Sequence, residues 1–169
     1  QLVSRLQHRR SSMAKDLSDL LRDGPVLPAL TCTSPKQVFS KLAAAMAEQT
    51  GVSDRLILKA IMEREKLGST AVGHGVVLPH ARLHEIKEPI GGFARLVNPI
   101  EFDAVDDQPC DLIFMLLASD GDGAEHLRAL ARVARVMRDG DLRSRLRDAE
   151  TEDAIRSALA TPETSAAAL

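Results

Sequence analysis

Apolar residues follow three successive patterns along this chain: helical spacing at the start, short continuous runs in the middle and helical spacing again towards the end. The leucines of residues 17–21 lie three and four positions apart and predict a short opening helix. Gly24 and Pro25 end that helix, and the short apolar stretch 26–30 predicts an edge strand. The opening of the chain therefore predicts one helix followed by one strand.

Two amphipathic helices are predicted next. Ser34 can cap the first, Pro35 suits its first helical position, and Gln37 completes a capping box. Ser53 is the expected cap of the second helix. The expected buried positions and the glycine that ends each helix are Val38, Leu42, Ala45, Met46 and Gly51 for the first, and Leu56, Ile57, Ala60, Ile61 and Gly68 for the second.

Three apolar runs in the middle of the chain predict β-strands, at residues 76–78, 92–97 and 112–118. The run 112–118 contains no polar residue, so it is predicted to be a central strand covered on both faces. In the run 92–97 the alternation is less clean, which suits a strand nearer an edge of the sheet.

Helical periodicity returns after a loop at 119–123, and two short helices at 141–149 and 151–160 close the pattern. The expected buried residues are Leu127, Leu130, Ala131, Ala134 and Met137 in the first late helix and Ala154, Ile155 and Leu159 in the last. Helices early, strands in the middle and helices late predict an α/β fold, a three-layer α/β/α sandwich around a single mixed β-sheet.

The length of 169 residues is that of one ordinary domain. Residues 1–12 are rich in arginine and lack a core pattern, so they are interpreted as an extension, native or introduced by cloning. The folded domain is predicted to span residues 13–160, from the natural-looking start at Met13. The alanine-rich residues 161–169 are predicted to be a flexible tail.

Composition and charge exclude several classes of function. A net charge of −2 lacks the basic balance that nucleic-acid backbones need, and the chain has no Trp or Tyr on which bases could stack. No apolar run approaches the ~20 residues of a membrane span, and no secretory signal is recognisable. Cys32 and Cys110 are isolated thiols, typical of a reducing compartment. These features predict a cytoplasmic protein that uses neither nucleic acid nor membrane.

The segment Gly73-His-Gly-Val-Val-Leu-Pro-His-Ala-Arg82 is the most informative part of the chain. It is interpreted as a strand that ends by presenting the imidazole of His80, because Pro79 restricts the backbone on both sides of its peptide bond. Gly73 and Gly75 let the backbone approach a partner or ligand closely. A histidine merely buried in a turn is the ordinary alternative.

A metal site must be considered, because His74, His80 and His84 lie within eleven residues. His80 and His84 have a spacing that would put both on one helix face. Against this, Pro79-His80 belongs to an extended segment, no HExxH-type glutamate intervenes and no cysteine has ligand spacing. We therefore expect no metal, and a metal-dependent hydrolase is a distant alternative. Walker, GxGxxG and GxSxG motifs are absent as well, so nucleotide use and serine catalysis are unsupported.

Phosphoryl transfer to a histidine suits these residues better. A neutral imidazole can attack phosphorus near neutral pH, and the charge on the transferring group needs cations or hydrogen-bond donors close by. Arg64, near the end of a helix, and His126, at the start of another whose free N–H groups favour an anion, are the candidates. The alternatives are a solvated ion pair for Arg64, which lies between two glutamates, and a surface or capping role for His126. Arg82 could serve at the site or simply be solvated.

Three stretches, 63–80, 99–112 and 126–131, together resemble the enzyme IIA proteins of the bacterial phosphotransferase system. The resemblance is to the fructose/mannitol class, in particular its nitrogen-regulatory branch, and it runs from about residue 17 to residue 160. It implies the α/β/α sandwich already expected from the sequence pattern and the role of a phosphocarrier.

The resemblance also implies roles for single residues. His80 would be the phosphorylated residue, His126 the second active-site histidine and Arg64 the nearby arginine. The residues that would shape the loop beside them are Thr70, Gly73, Gly75 and Pro79. His74 departs from the family pattern, in which a small polar residue such as Asn is expected; it either forms a hydrogen bond within the loop or adds a third imidazole near the phosphate.

The function expected from this resemblance is that of a cytoplasmic phosphocarrier. An HPr-like donor would deliver a phosphoryl group to His80 without a metal or other cofactor, and the phosphorylation state would regulate target proteins. Two alternatives remain open. The chain could pass phosphate onward to an enzyme IIB in sugar transport, or it could be a docking module of the same fold that is never phosphorylated.

Overall fold

The computed structural model describes residues 17–160. Within this range one six-stranded sheet is surrounded by six helices. The sequence pattern predicted the helices and a single mixed sheet, but only four of the six strands. The elements in chain order are α1 (Ser18–Leu21), β1 (Val26–Leu30), α2 (Pro35–Thr50), α3 (Asp54–Glu65), β2 (Ala71–Gly73), β3 (Val76–Val77), β4 (His80–Leu83), β5 (Ile90–Ile100), β6 (Cys110–Ser119), α4 (Gly123–Met137), α5 (Gly140–Asp148) and α6 (Glu152–Ala160).

The sheet is mixed, with strand order β1-β5-β6-β3-β2 and β4 also paired with β6. Strand β5 is antiparallel to β6, whereas β3 and β4 run parallel to it, and β1 is parallel to β5 at one edge. The predicted edge strand at residues 26–30 is confirmed, and β6 is the predicted central strand. Strand β5, expected nearer an edge, is second in the order.

Alternate side chains of β6 enter two separate cores because successive residues of a strand point to opposite faces. One core lies under α2 and α3, and it takes Ile113, Met115 and Leu117. The other lies under α1, α4, α5 and α6, and it takes Leu112, Phe114 and Leu116. A strand buried on both faces explains the unbroken apolar run, and the three-layer α/β/α sandwich is confirmed.

The helices bury slightly different faces from those predicted. Leu56 is 45% exposed and Leu127 is 65% exposed, and Ala131 and Ala154 are also exposed. In α4 the buried face contains Ala129, Val133 and Val136. Leu127 and Ala131 therefore lie on other faces of the helix. Several apolar positions permit more than one stripe, and packing against the sheet selects one of them. The remaining predicted positions are buried or half-buried: Val38, Leu42, Ala45, Met46, Ile57, Ala60, Ile61, Leu130, Ala134, Met137, Ile155 and Leu159.

The predicted helix caps are partly correct. Ser34 Oγ accepts the N–H of Gln37 as expected, but the Gln37 amide oxygen accepts from Thr33 rather than from the Ser34 N–H. The capping box is therefore displaced by one residue. Ser53 precedes α3 without a side-chain capping hydrogen bond, whereas Gly51 ends α2 in the left-handed conformation at φ 75°.

His80 begins a strand rather than ending one, which corrects the prediction. Strand β3 stops at Val77 and β4 starts at His80, and both pair with β6. The register is the same on both sides of the gap, since Val76 is opposite Leu112 and His80 is opposite Leu116. Pro79 interrupts the ladder without shifting it, because it has no N–H to contribute.

The turn between β2 and β3 consists of Gly73, His74 and Gly75, all with positive φ. Arg147 stabilises this turn. It forms an ion pair with Asp111 and donates a hydrogen bond to the carbonyl of His74. A Cβ at Gly75 would lie 2.5 Å from Arg147 Nη2 and 2.9 Å from Asp111 Oδ1. Gly75 therefore permits close approach to an arginine of the same chain.

Some predictions fall outside the described residues. The extension at 1–12, the start of the domain at residue 13 and the tail at 161–169 belong to this group, as does His8. Cys32 and Cys110 are both buried free thiols. None of the helices within residues 17–160 has the length and apolarity needed to cross a membrane.

We expect Gly75→Ala to destabilise the protein more than Gly51→Ala. Both positions have positive φ, which costs an alanine about 1 kcal/mol. Among the described residues, nothing lies within 4 Å of a Cβ at Gly51, whereas at Gly75 the contacts of Arg147 must also break, for roughly 1–2 kcal/mol more. Denaturant unfolding of both variants measures this difference, and equal losses would contradict the account of the turn.

Candidate functional site

The ring of His80 is held by the backbone on its own strand. Its Nδ1 lies 2.8 Å from the carbonyl oxygen of Leu78. Because a carbonyl can only accept, Nδ1 carries the hydrogen of the neutral ring and Nε2 keeps a lone pair. The carbonyl of Pro79 accepts the N–H of Leu116 and fixes the adjoining backbone to β6. The half-buried imidazole therefore presents Nε2 as a nucleophile in a defined direction.

His126 faces His80 from the first turns of α4. The two ring centroids are 5.6 Å apart and the rings are tilted by 41°. His126 is only 8% exposed, and its Nδ1 is buried without a hydrogen-bond partner among residues 17–160. Its own backbone N–H is bonded to the carbonyl of Asp122, so it is not one of the free N–H groups expected at the helix start. The side chain rather than the backbone of His126 can therefore act at this site.

Arg82 also belongs to this site. It lies two residues after His80 on β4, so both side chains point to the same face of the strand. A Cβ at Gly123 would be 3.3 Å from Arg82 Nη1, which locates the guanidinium at the start of α4. Within the described part of the chain, Arg82 has no hydrogen bond or ion pair. The role of Arg82 stayed undecided from the sequence, although its two-residue spacing from His80 indicates a shared face of a strand.

The end of α3 brings one charge of each sign to the same place. Arg64 lowers the pKa of His80 through its positive charge and Glu65 raises it, so both lie within electrostatic reach of the ring. Arg64 Nη1 donates to the carbonyl of Gly68, and Arg64 forms no ion pair among the described residues. The alternative of a solvated ion pair for Arg64 is therefore wrong, and Glu65 is a site residue that the sequence analysis missed.

The pKa of both histidines is lowered, which favours the neutral ring. Burial is the largest cause that lowers the pKa of His80 from 6.5; the bond to Leu78 opposes it and Arg64 reinforces it. The pKa of His126 is lowered by burial first, then by the charges of His80 and Arg82. A lowered pKa favours the unprotonated ring, and only an unprotonated nitrogen can attack phosphorus.

Thr70 is buried immediately before β2. Its carbonyl accepts the N–H of Leu78 at 3.0 Å, and its hydroxyl and N–H both donate to the carboxylate of Glu65. Thr70 and Pro79 thus flank the backbone of Leu78, which holds His80.

The turn at residues 73–75 lies elsewhere. The carbonyl of Gly75 accepts from the N–H groups at the start of β6, whereas His80 is opposite Leu116 further along the same strand. At ~3.3 Å per residue this separates Gly75 from His80 by about 16 Å. The prediction that Gly73, His74 and Gly75 lie beside the reacting histidine is wrong, and so is the alternative of a third imidazole near the phosphate.

His84 does not share a helix face with His80. It follows β4 in a turn, its side chain is 88% exposed, and Nδ1 lies 3.7 Å from Asp120 Oδ1. Across residues 17–160, no three histidine, cysteine or carboxylate side chains are grouped so that they could hold a metal ion.

Comparison with known proteins identifies the family. Residues 19–161 match the family described as "Phosphoenolpyruvate-dependent sugar phosphotransferase system, EIIA 2". The chain belongs to this EIIA family. The resemblance found in the sequence is therefore confirmed over nearly the whole described range.

Individual EIIA relatives identify the branch. The "Nitrogen regulatory protein" of Bradyrhizobium diazoefficiens is 48% identical over 151 residues, covering 89% of this chain and 99% of its own length. The crystal structure of nitrogen regulatory protein IIA-Ntr from Neisseria meningitidis has a TM-score of 0.79 and 29% identity, covering 85% of this chain and 98% of its own. The mannitol enzyme IIA of Escherichia coli, solved in complex with phosphorylated enzyme IIB, has a TM-score of 0.67 at 17% identity, covers 80% and 93%, and shares the fold. The expected nitrogen-regulatory branch of the EIIA family is thereby confirmed.

We expect Arg82→Gln to raise the pKa of His126, because the positive charge of Arg82 lowers it. The pKa should stay below 6.5, since burial is the larger cause. Arg128→Gln is the matched control. Arg128 is exposed on α4, the helix that carries His126, and it does not contribute to the lowered pKa of His126. NMR titration of the histidine Hε1 protons measures both, and an equal response in the two variants would contradict this placement of Arg82.

Proposed function

We propose that this EIIA chain is a cytoplasmic phosphocarrier that accepts a phosphoryl group on Nε2 of His80 from the phosphohistidine of an HPr-like donor protein. The observation that carries the proposal is the hydrogen bond from His80 Nδ1 to the Leu78 carbonyl. It leaves one unprotonated ring nitrogen, at a half-buried position beside a second neutral histidine.

The reaction needs no group outside the two proteins. The lone pair of Nε2 forms the new nitrogen–phosphorus bond while the bond to the donor's imidazole breaks, and that electron pair returns to the donor nitrogen. The hydrogen stays on Nδ1 and is donated to the Leu78 carbonyl throughout. The rings of His80 and His126 are positioned in advance. Catalysis therefore consists of alignment and electrostatic stabilisation.

Arg64, Arg82 and His126 supply that stabilisation. Arg64 acts on His80 from the end of α3 and Arg82 acts on His126 from β4, so positive charge reaches the pair of rings from two elements. The buried Nδ1 of His126 has no partner among residues 17–160. A phosphoryl dianion on His80 would favour protonation of His126, and an imidazolium beside it would form a charge-assisted hydrogen bond.

A regulatory output is supported by the relatives named nitrogen regulatory proteins, which include one at 48% identity. Phosphorylation adds about −1.5 to −2 charges at an otherwise neutral ring. Leu127, next to His126 in the chain, is 65% exposed and provides an apolar contact for a partner at the same place. Partner binding there would differ between the two phosphorylation states. Onward transfer to an enzyme IIB has weaker support, because the mannitol enzyme solved with one is only 17% identical.

We expect the chain to gain one phosphate when it is incubated with phosphoenolpyruvate, enzyme I and an HPr-type donor. His80→Ala should gain none, because the acceptor nitrogen is removed. His84→Ala is the control, since the His84 side chain is exposed and lies near Asp120 rather than at the pair of buried rings. Intact mass spectrometry reads all three proteins.

Two outcomes would contradict the proposal. If the parent gains no phosphate while the donor itself is shown to be phosphorylated, the carrier function fails for that donor. If His80→Ala still gains phosphate, the acceptor is wrong.

A further inference from the structure

We propose that Glu65 is a positioning residue that fixes the ring of His80 through Thr70 and the backbone of Leu78. Three consecutive hydrogen-bonded links join the Glu65 carboxylate to the reacting imidazole. The proposal deepens the proposed function and rests on it for its effect on the rate of transfer. Its effect on the ring can be measured without any phosphoryl donor.

The first link joins the end of α3 to the start of β2. Glu65 Oε2 accepts the backbone N–H of Thr70 at 3.3 Å, and Glu65 Oε1 accepts the Thr70 hydroxyl. Both carboxylate oxygens are therefore engaged by one residue. Each donor meets its own oxygen, an arrangement that a carboxylate supplies, whereas in an amide one of the two positions is an NH2 donor.

The second link crosses the gap between β3 and β4. The N–H of Leu78 donates to the carbonyl of Thr70 at 3.0 Å, whereas the adjoining Pro79 has no N–H at all. On this side, the backbone between the two strands is thus held by Thr70. A shift of Thr70 would move Leu78 with it.

The third link reaches the ring. The Leu78 carbonyl accepts from His80 Nδ1 at 2.8 Å and so determines which nitrogen carries the hydrogen. If this carbonyl loses its position, the neutral ring can move its hydrogen to Nε2. That tautomer has no lone pair at the acceptor nitrogen.

Glu65 is placed to orient rather than to take a proton. Its two oxygens are occupied by Thr70, and its negative charge opposes that of the neighbouring Arg64 at His80. Removing the charge should therefore lower the pKa of His80 further, in addition to loosening the ring.

The test uses the full chain with four substitutions. Glu65→Gln keeps the size of the side chain but offers only one acceptor oxygen to Thr70. Thr70→Val removes the hydroxyl and keeps the shape, and Thr70→Ser restores the hydroxyl. Glu63→Gln is the matched control, because Glu63 is exposed on the same helix. Imidazole nitrogen-15 shifts above pH 7 give the tautomer of His80, with His84 and His126 as internal references.

We expect Glu65→Gln and Thr70→Val to raise the fraction of His80 with hydrogen on Nε2, while Thr70→Ser and Glu63→Gln match the parent. The loss of one such hydrogen bond corresponds to a roughly three- to tenfold lower rate of phosphoryl acceptance at saturating donor. The effect should fall on the maximal rate rather than on the donor concentration for half-maximal rate, because donor docking is untouched.

The proposal is overturned if folded Glu65→Gln and Thr70→Val both retain the parent tautomer of His80. It is also overturned if Glu63→Gln shifts the tautomer equally. Should Glu65→Gln fail to fold, Thr70→Val against Thr70→Ser decides alone, since those two differ at one buried position. A parent that accepts no phosphate would defeat the proposed function and leave the tautomer result standing.

Discussion

The site depends on the interruption of the β-ladder between β3 and β4. Pro79 keeps one bond to β6, since its carbonyl accepts the N–H of Leu116, although it has no N–H to add a second. The N–H of Leu78 points the other way, to the carbonyl of Thr70. The register on both sides is unchanged, so His80 keeps its place opposite Leu116. The carbonyl of Leu78 is consequently available for the imidazole of His80.

The same charges serve the resting and the reacting protein. Arg64 near His80 and Arg82 near His126 lower the pKa of the ring each approaches, which keeps both rings unprotonated. Positive charge at this place also favours an incoming phosphoryl group. Burial acts in the same direction as the arginines in the resting protein, and it strengthens their attraction for a dianion. Glu65 opposes Arg64 at His80, so the balance is set within one turn of α3.

Much of the fold could be predicted from the sequence because its signals are local. The unbroken run 112–118 indicated a strand covered on both faces, and Ser34 with Pro35 indicated the start of α2. The exposure of Leu56 and Leu127 could not be predicted, because several apolar stripes are possible on a helix and only tertiary packing selects one. The distance of the turn at residues 73–75 from His80 could not be predicted either, since it follows from the pairing of β3 and β4 with β6.

Only part of the site could be predicted from the sequence. His80, His126 and Arg64 were candidates from the chemistry of phosphoryl transfer, and the family resemblance assigned them roles. The structure brings the two histidines together and puts Arg64 within electrostatic reach of His80. Glu65 was missed because it reaches His80 through backbone groups of Thr70 and Leu78, and a backbone hydrogen bond leaves no residue pattern in the chain. Arg82 was left undecided because its position depends on where β4 begins.

The most direct test of this account is the identity of the phosphorylated nitrogen. Phosphorus-31 and nitrogen-15 NMR of the phosphorylated chain distinguish the two phosphohistidine isomers. Because Nδ1 of His80 is committed to the Leu78 carbonyl, the account predicts phosphate on Nε2 alone, with hydrogen retained on Nδ1. Phosphate on Nδ1, or a mixture of both isomers, would show that the hydrogen bond to the Leu78 carbonyl does not select the reacting nitrogen.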